Sequence, residues 1–217
     1  MSQTLELQFV SDIMCPWCRI GLGNLETAIA RLGDSFDIAL TFEPFELNPQ
    51  MPAEGQNTGE HLAEKYGSTP EQSKQNRAMI QARGREVDFD FNFTDSSRMW
   101  NSFDAHRLLH WAKEQGKQAE LKKALFKAHF TDNRNMGDHT TLVDIAGSIG
   151  LDQQAAKAIL ESQQFADDVR QRQQLWHNNG IHSVPTVIVN NQYAITGGQP
   201  AEVFERALRD IAAKAEI

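Results

Sequence analysis

Cysteine is scarce in this sequence, because Cys15 and Cys18 are the only two among its 217 residues. No second pair exists to complete a four-thiolate zinc site or a network of structural disulfides. A disulfide between these two residues would close a very short loop and would constrain the unfolded chain little. The sequence therefore favours redox chemistry at the two sulfur atoms over a structural or metal-binding role.

Long apolar runs and blocks of basic residues are also missing. No stretch approaches the length of a membrane span, and residues 5–10 are interrupted by Glu6 and Gln8, unlike a secretory signal. The chain has 21 basic and 29 acidic residues, with a formal net charge of −8, which disfavours a nucleic-acid partner. We therefore expect a cytoplasmic protein with no membrane or nucleic-acid partner, and in that compartment disulfides are mostly transient and catalytic.

The segment Cys15-Pro16-Trp17-Cys18 lies where a strand pattern gives way to a helix pattern. Apolar residues alternate with polar ones before it, and residues 20–32 repeat at about 3.6-residue spacing until Gly33. Pro16 is suited to the first helical turn. The unpaired N–H groups and the positive dipole end of this helix favour the thiolate form of Cys15, which is the attacking species. Cys18, one turn later, can then form a disulfide with Cys15 and release a partner held there as a mixed disulfide.

The remaining patterns predict two strand regions separated by helices. Residues 36–42 alternate as a strand that ends at Pro44, and residues 185–189 and 193–196 form a hairpin around Asn190-Asn191. Between about 59 and 180 we find helix signals and no strand, with Ser68 to Glu71 as a capping box. An extended segment at 89–93 should bury its Phe side chains. Helices are predicted at 70–84, 102–115, 118–130, 140–149, 153–161, 164–178 and from Pro200 onward.

This order of elements resembles an α/β thioredoxin-like fold with a large all-helical insertion, and specifically the DsbA family of thiol–disulfide oxidoreductases in its FrnE-like branch. The resemblance spans nearly the whole chain. It implies a discontinuous thioredoxin-like domain at 1–55 and 180–217 and a helical insertion domain at 56–179. The segments that carry it are Ser11-Asp12-Ile13-Met14-Cys15-Pro16-Trp17-Cys18, Pro44-Phe45-Glu46-Leu47-Asn48-Pro49, Asp104-Ala105-His106-Arg107-Leu108, Val184-Pro185-Thr186 and Gly197-Gly198-Gln199-Pro200.

The resemblance also implies roles for individual residues. Cys15 would be the exposed nucleophile and Cys18 the resolving thiol, with Pro16, Trp17 and Asp12 as active-site neighbours. Pro185 would be a cis proline facing the pair. Val184, Pro185 and Thr186 would bind the substrate, with the backbone of Val184 turned toward an extended peptide or glutathione. The cysteine motif and the loop that contains Val184 and Pro185 should therefore be in contact.

Two departures from the family pattern stand out. Trp17 occupies a position where periplasmic members carry His, so the pair should be less oxidising. Phe9 occupies the position of a buried acid six residues before the first cysteine. Proton transfer to Cys18 then needs another group or water, and Asp12 or Glu43 is a candidate.

These features predict a dithiol–disulfide oxidoreductase that acts on protein or low-molecular-weight thiols. No cofactor and no metal are expected, and glutathione is a candidate redox partner. His106 and His110 have a metal-like spacing, but no third ligand follows at a recognisable interval. Two alternatives stay open: a kappa-class glutathione transferase or hydroxychromene-carboxylate isomerase, which carry Ser where Cys15 stands, and a non-catalytic, chaperone-like binding module.

Overall fold

The computed structural model describes residues 3–215 of the chain. Its larger sheet has the strand order β2-β1-β5-β6, with β1 parallel to β2 and antiparallel to β5, and β5 antiparallel to β6. The two parts of the sheet therefore meet in space although a long helical segment separates them in sequence. The strands are β1 (Gln3–Ser11), β2 (Phe36–Pro44), β3 (Gln56–Asn57), β4 (Arg98–Met99), β5 (Thr186–Val189) and β6 (Tyr193–Thr196).

Helices fill most of the chain between β2 and β5. One further helix connects β1 to β2, and another follows β6. In the described residues the helices are α1 (Pro16–Leu32), α2 (Thr58–Tyr66), α3 (Pro70–Arg85), α4 (Phe103–Glu114), α5 (Gln118–Phe130), α6 (His139–Ser148), α7 (Gln153–Glu161), α8 (Ala166–Asn178) and α9 (Ala201–Ala215). This is the α/β thioredoxin-like fold with a large helical insertion that the sequence predicts.

The main core lies on the face of β1 that carries Leu5, Leu7 and Phe9, all fully buried. α1 packs into the same core through Leu22 and Leu25. Burying each such side chain contributes roughly 1.5–3 kcal/mol to folding. The strand and helix on either side of the cysteine motif are thus fixed by hydrophobic packing.

A smaller apolar cluster covers the opposite face of the sheet. Val10 and Ile188 lie on neighbouring strands, and Phe45 and Trp176 pack with them. Because Trp176 belongs to α8, the helical insertion holds the sheet at the end where β1 leads into the cysteine motif.

Most predicted elements are confirmed, some of them to the residue. Gly33 follows the last residue of α1 with φ 63°, and Asn190 and Asn191 form the hairpin turn with φ 52° and 55°. α5 and α7 have the predicted bounds. Phe91 is buried in a segment without regular secondary structure, as expected for 89–93. The division into domains at 55/56 and 179/180 stays a prediction.

Two local predictions are wrong, and one helix was not predicted. The capping box of α3 joins Thr69 to Gln72 and not Ser68 to Glu71, because Thr69 is the residue that directly precedes the helix. α2 was not predicted; Asn57 caps it by accepting from Gly59 and Glu60. The insertion is not all-helical, since β3 pairs with β4 in an antiparallel ladder. Two-residue strands are too short to produce an alternating sequence pattern.

Candidate active site

The cysteine motif lies at the junction of β1 and α1, as predicted. Cys15 precedes the helix in an extended conformation, and Pro16 is its first residue. The backbone N–H of Cys18 donates to the carbonyl of Cys15 at 3.1 Å, so both cysteines belong to one turn. Both are free thiols. The arrangement places two thiols next to each other at a helix N-terminus.

The exposure of Cys15 differs from the prediction. Its exposed fraction is 5 %, so it is nearly buried and not an exposed nucleophile, and Cys18 is fully buried. Cys15 nevertheless lines a cavity, together with Pro16 and Trp17. The difference arises because residues of the insertion, such as Trp100 and His129, form the other wall of that cavity. A substrate must therefore enter the cavity to reach the sulfur.

The loop before β5 meets the cysteine motif, as predicted. The Val184–Pro185 peptide bond is cis, and Cys15 Sγ lies 3.8 Å from the carbonyl oxygen of Val184, 169 positions away in sequence. A Cβ atom at Gly21 would lie 3.0 Å from Pro185 Cγ and 3.1 Å from Gly198 Cα. The small size of Gly21 therefore allows α1 to approach the loop closely.

The three residues predicted to bind substrate are placed differently from one another. Val184 lines the cavity with Cys15, whereas Pro185 and Thr186 are not among the residues that line it. The hydroxyl of Thr186 donates to the carbonyl of Ser183 at 3.0 Å, and Thr186 is buried. Thr186 therefore holds the loop, and Val184 is the one of the three that borders the cavity.

Asp12 is a fully buried carboxylate at the start of the motif. It accepts hydrogen bonds from the backbone N–H groups of Met14 at 3.2 Å and Leu47 at 2.7 Å. Burial by itself would raise the pKa of Asp12, but the hydrogen bond and charge of His106, with the Leu47 and Ser102 donors, lower it overall. The lowered pKa makes the Asp12 carboxylate a weak base, so Asp12 is better suited to fixing the loop than to accepting a proton.

The cavity beside Cys15 has a volume of about 620 Å³, which lies in the usual range for small-molecule sites. Arg77, Arg98 and Arg134 line it, and neither Asp nor Glu is among the lining residues. This contrasts with the chain as a whole, whose formal net charge is −8. Arg77 and Arg134 face Asp95 and Asp144, whereas Arg98 donates to the carbonyls of Glu54 and Gly55. The cavity is thus suited to an anionic ligand.

The whole chain can be compared with known proteins. A family model described as a DSBA-like thioredoxin domain matches residues 6–209. The chain belongs to this family. It is accordingly a thiol–disulfide oxidoreductase, as the sequence predicts, whereas membership of the FrnE-like branch stays a prediction.

Individual relatives of this DSBA-like protein cover nearly all of it. The structure of a probable DsbA oxidoreductase, SCO1869 from Streptomyces coelicolor, is 31 % identical with a TM-score of 0.91, covering 95 % of this chain and 89 % of that one. The uncharacterised Bacillus subtilis protein YwbO is 28 % identical over 95 % of this chain and 97 % of its own. The cytosolic disulfide reductase DsbM from Pseudomonas aeruginosa, solved with GSH, shares the fold at 16 % identity, TM-score 0.62 and coverage of 94 % and 98 %.

Glu43, the other predicted proton-transfer candidate in this DSBA-like protein, pairs with two residues of α8. One of its carboxylate oxygens accepts from Arg172 Nε at 2.7 Å and from Trp176 Nε1 at 3.2 Å. Through these contacts Glu43 holds α8 against β2. Asp12 and Glu43 thus both have structural partners.

The two histidines with metal-like spacing have separate environments. His106 Nε2 lies 2.9 Å from the carbonyl oxygen of Phe45 and must donate to it, since a carbonyl only accepts. The ring of His110 packs against Phe165 with centroids 5.1 Å apart. Within residues 3–215, no three His, Cys, Asp or Glu side chains are grouped closely enough to hold a metal ion. His106 therefore packs the insertion against the active-site loop.

Sequence reasoning missed Lys122. This residue of α5 is fully buried, and its Nζ has no hydrogen-bond partner in the described part of the chain. Burial lowers its pKa to about 8, against the raising effect of the charges of Cys18, Asp12 and Cys15. A signal was present, because Lys122 lies one turn from both Gln118 and Phe126 on the buried face of α5.

Proposed function

We propose that this protein exchanges disulfides with low-molecular-weight or protein thiols through Cys15 and Cys18. The observation that carries the proposal is the position of Cys15, whose sulfur lies beside the Val184 carbonyl at the wall of a substrate-sized cavity. In the reducing direction, the Cys15 thiolate attacks a substrate disulfide and releases one thiolate. The thiolate of Cys18 then attacks Cys15 Sγ, which forms the Cys15–Cys18 disulfide and releases the second half of the substrate.

The charges of the cavity favour an anionic low-molecular-weight disulfide. Arginine recognises carboxylates through planar, charge-assisted hydrogen bonds, and Arg98 has no carboxylate partner among the described residues. Glutathione, a tripeptide with two carboxylates, has the required chemistry. The presence of GSH in the DsbM structure supports glutathione as a redox partner for this chain as well.

Protein substrates are a second class that the site favours. The side chains of Tyr66 and Met79, which line the cavity, are 62 % and 47 % exposed. Large exposed apolar side chains beside a reactive centre favour contact with extended or unfolded polypeptide.

No helix in residues 3–215 is both long and apolar enough to cross a membrane. We propose the cytoplasm as the compartment, as for DsbM, which is described as cytosolic.

The proposal is tested by trapping and cycling. Cys18→Ala should accumulate a mixed disulfide at Cys15 with glutathione or with cellular proteins, which intact-mass measurement identifies. Cys15→Ala is the matched control and should accumulate none. The wild-type protein should reduce glutathione disulfide or insulin when a dithiol regenerates it. Wild-type protein that forms a persistent glutathione adduct at Cys15, without resolution by Cys18, would instead support the glutathione-transferase alternative.

A further inference from the structure

Lys122 combines complete burial with an ammonium group that has no hydrogen-bond partner in the described residues. Burying an unpaired charge is costly, and lysine is almost never fully buried unless it is paired. We propose that Lys122 exchanges a proton with Cys18 during the resolving step of disulfide exchange. The proposal rests on the proposed function and names the proton acceptor of the same site.

The position of Lys122 is set by the packing of α5. One turn earlier, Gln118 is fixed on β2, because its amide accepts from Phe42 N–H at 3.0 Å and donates to Phe42 O at 2.9 Å. Phe42 is the β2 neighbour of Phe9, close to the end of β1. One turn later, the ring centroid of Phe126 lies 5.2 Å from Lys122 Nζ. Lys122 therefore lies over the strand ends that lead to the cysteine motif.

Lys122 and Cys18 each affect the pKa of the other. Burial raises the pKa of the Cys18 thiol well above its ordinary value, and the hydrogen bond and charge of Cys15 add to this, whereas Lys122 lowers it. Burial has the opposite effect on the amine, and the charge of Cys18 is the strongest of those that raise the pKa of Lys122. Burial thus favours the neutral forms of both groups. With a pKa of about 8, Lys122 is neutral in a far larger fraction near pH 7 than an ordinary lysine, so its amine is available as a general base for the Cys18 proton.

A second cavity, of about 290 Å³, connects Lys122 with the surface. Its polar lining and volume suit several water molecules, and Lys113, which also lines it, is exposed. A proton held by Lys122 can therefore pass to solvent without crossing the substrate cavity. The charged or titratable groups that face Lys122 are Cys15, Cys18 and Asp12 near the motif, and Glu43, His106, His110, Lys113 and Arg172 around this cavity.

The proposed step balances as follows. In the mixed disulfide between Cys15 and a substrate thiol, the Cys18 thiol gives its proton to the neutral amine of Lys122. The Cys18 thiolate attacks Cys15 Sγ, the Cys15–Cys18 bond forms, and the substrate leaves as a thiolate. The two cysteines lose two electrons to the substrate disulfide, and the Lys122 ammonium returns its proton to solvent. In the oxidising direction, the Lys122 ammonium protonates the Cys18 thiolate that forms when the Cys15–Cys18 bond breaks.

The test isolates the resolving step. Reduced protein is mixed with an aromatic disulfide whose thiolate product is coloured, so that attack by Cys15 releases the first equivalent and attack by Cys18 the second. In Lys122→Met, the first phase should keep the wild-type rate. The second phase at neutral pH should be slower by about tenfold or more, which corresponds to a rise of about one unit in the pKa of Cys18. The pH at which the rate of the second phase is half its maximum should rise by about one unit as well.

Controls separate this role from a structural one. Lys123→Met changes the neighbouring lysine, which is half-exposed and paired with Glu26, and both phases should keep wild-type rates. Lys122→Met should unfold at a temperature no lower than the wild type, because it replaces an unpaired buried cation with an apolar side chain. A folded Lys122→Met protein with an unchanged second phase and pH midpoint would overturn the proposal. The absence of a second equivalent from wild-type protein would instead contradict the proposed function.

Discussion

Asp12 Oδ1 lies 3.6 Å from His106 Nε2, and both side chains are at most 2 % exposed. Asp12 belongs to the loop before the cysteine motif, whereas His106 belongs to α4 of the helical insertion. The contact therefore joins the insertion to the redox site. Since the same imidazole nitrogen donates to Phe45 O at 2.9 Å, it also fixes the segment after β2.

Asp12→Asn should destabilise the protein by about 1–3 kcal/mol at neutral pH, because it removes the charge from a buried, hydrogen-bonded group. The folded-state pKa of Asp12 is lowered from 3.8. Its contribution to stability is therefore fully present above pH 3.8 and is lost as the pH falls through the lower folded-state value. Urea unfolding of both proteins across this range measures the difference.

The matched control for Asp12 is Asp37→Asn at an exposed position of β2, which should change the unfolding free energy by less than about 0.5 kcal/mol. A stability difference between wild type and Asp12→Asn that persists unchanged well below pH 3.8 would contradict the assignment of a lowered pKa.

Cys15 should react with an alkylating reagent about tenfold or more faster than Cys18, because only the thiolate reacts. Burial, together with the hydrogen bond and charge of Cys15, raises the pKa of Cys18, which is also fully buried, whereas Cys15 lines the substrate cavity. Peptide mass analysis after short exposure to iodoacetamide measures both rates. In denaturant the two rates should become similar, and equal rates in the native protein would refute the prediction.

Much of the fold was predictable because its signals are local. The turn at Asn190-Asn191 and the stop at Gly33 each depend on a few neighbouring residues. The contact between Cys15 and the Val184 loop was also predicted, but from the family resemblance. Nothing local in either segment specifies a partner 169 positions away.

The rest of the site depends on packing between distant elements. Lys122 is on the buried face of α5. The hydrogen bonds between Gln118 and Phe42 determine which part of the sheet this face packs against, and they cannot be read from the sequence. Cys15 was expected to be exposed from the family resemblance, and nothing in its sequence surroundings shows that the insertion covers it. Nothing in the sequence indicates that Asp12 and Glu43, the candidates for proton transfer, pair with His106 and Arg172 of the insertion.

Arg98 should determine the preference for anionic disulfides. Arg98→Met should lower kcat/KM for glutathione disulfide by about tenfold, mainly through KM, since a hydrogen bond to a charged group contributes roughly 1.5–3 kcal/mol. The rate with bis(hydroxyethyl) disulfide, which is uncharged, should change little. Arg83→Met is the matched control, because Arg83 is exposed, pairs with Glu86 and does not line the cavity. An equal loss with both disulfides would show that Arg98 supports the structure and does not select the substrate.

His129 should make the stability of the protein depend on pH in the mildly acidic range. It lines the substrate cavity, is 8 % exposed, and burial lowers its pKa from 6.5 to about 4 against the opposing charge of Asp12. The native state therefore keeps His129 neutral while the unfolded chain takes up a proton. The contribution of His129 to stability is fully present above pH 6.5 and is lost as the pH falls toward 4, by up to about 3 kcal/mol.

His129→Gln removes this titration, so its unfolding free energy should fall less than that of the wild type between about pH 7 and about pH 5. Urea unfolding at the two pH values measures the difference, and His182→Gln, on the exposed loop before Val184, is the matched control. The control should follow the wild-type slope, because its side chain is exposed and does not line the cavity. If His129→Gln also follows that slope, the imidazole takes up its proton in the native state, and the cavity beside Cys15 is more hydrated than its buried lining indicates.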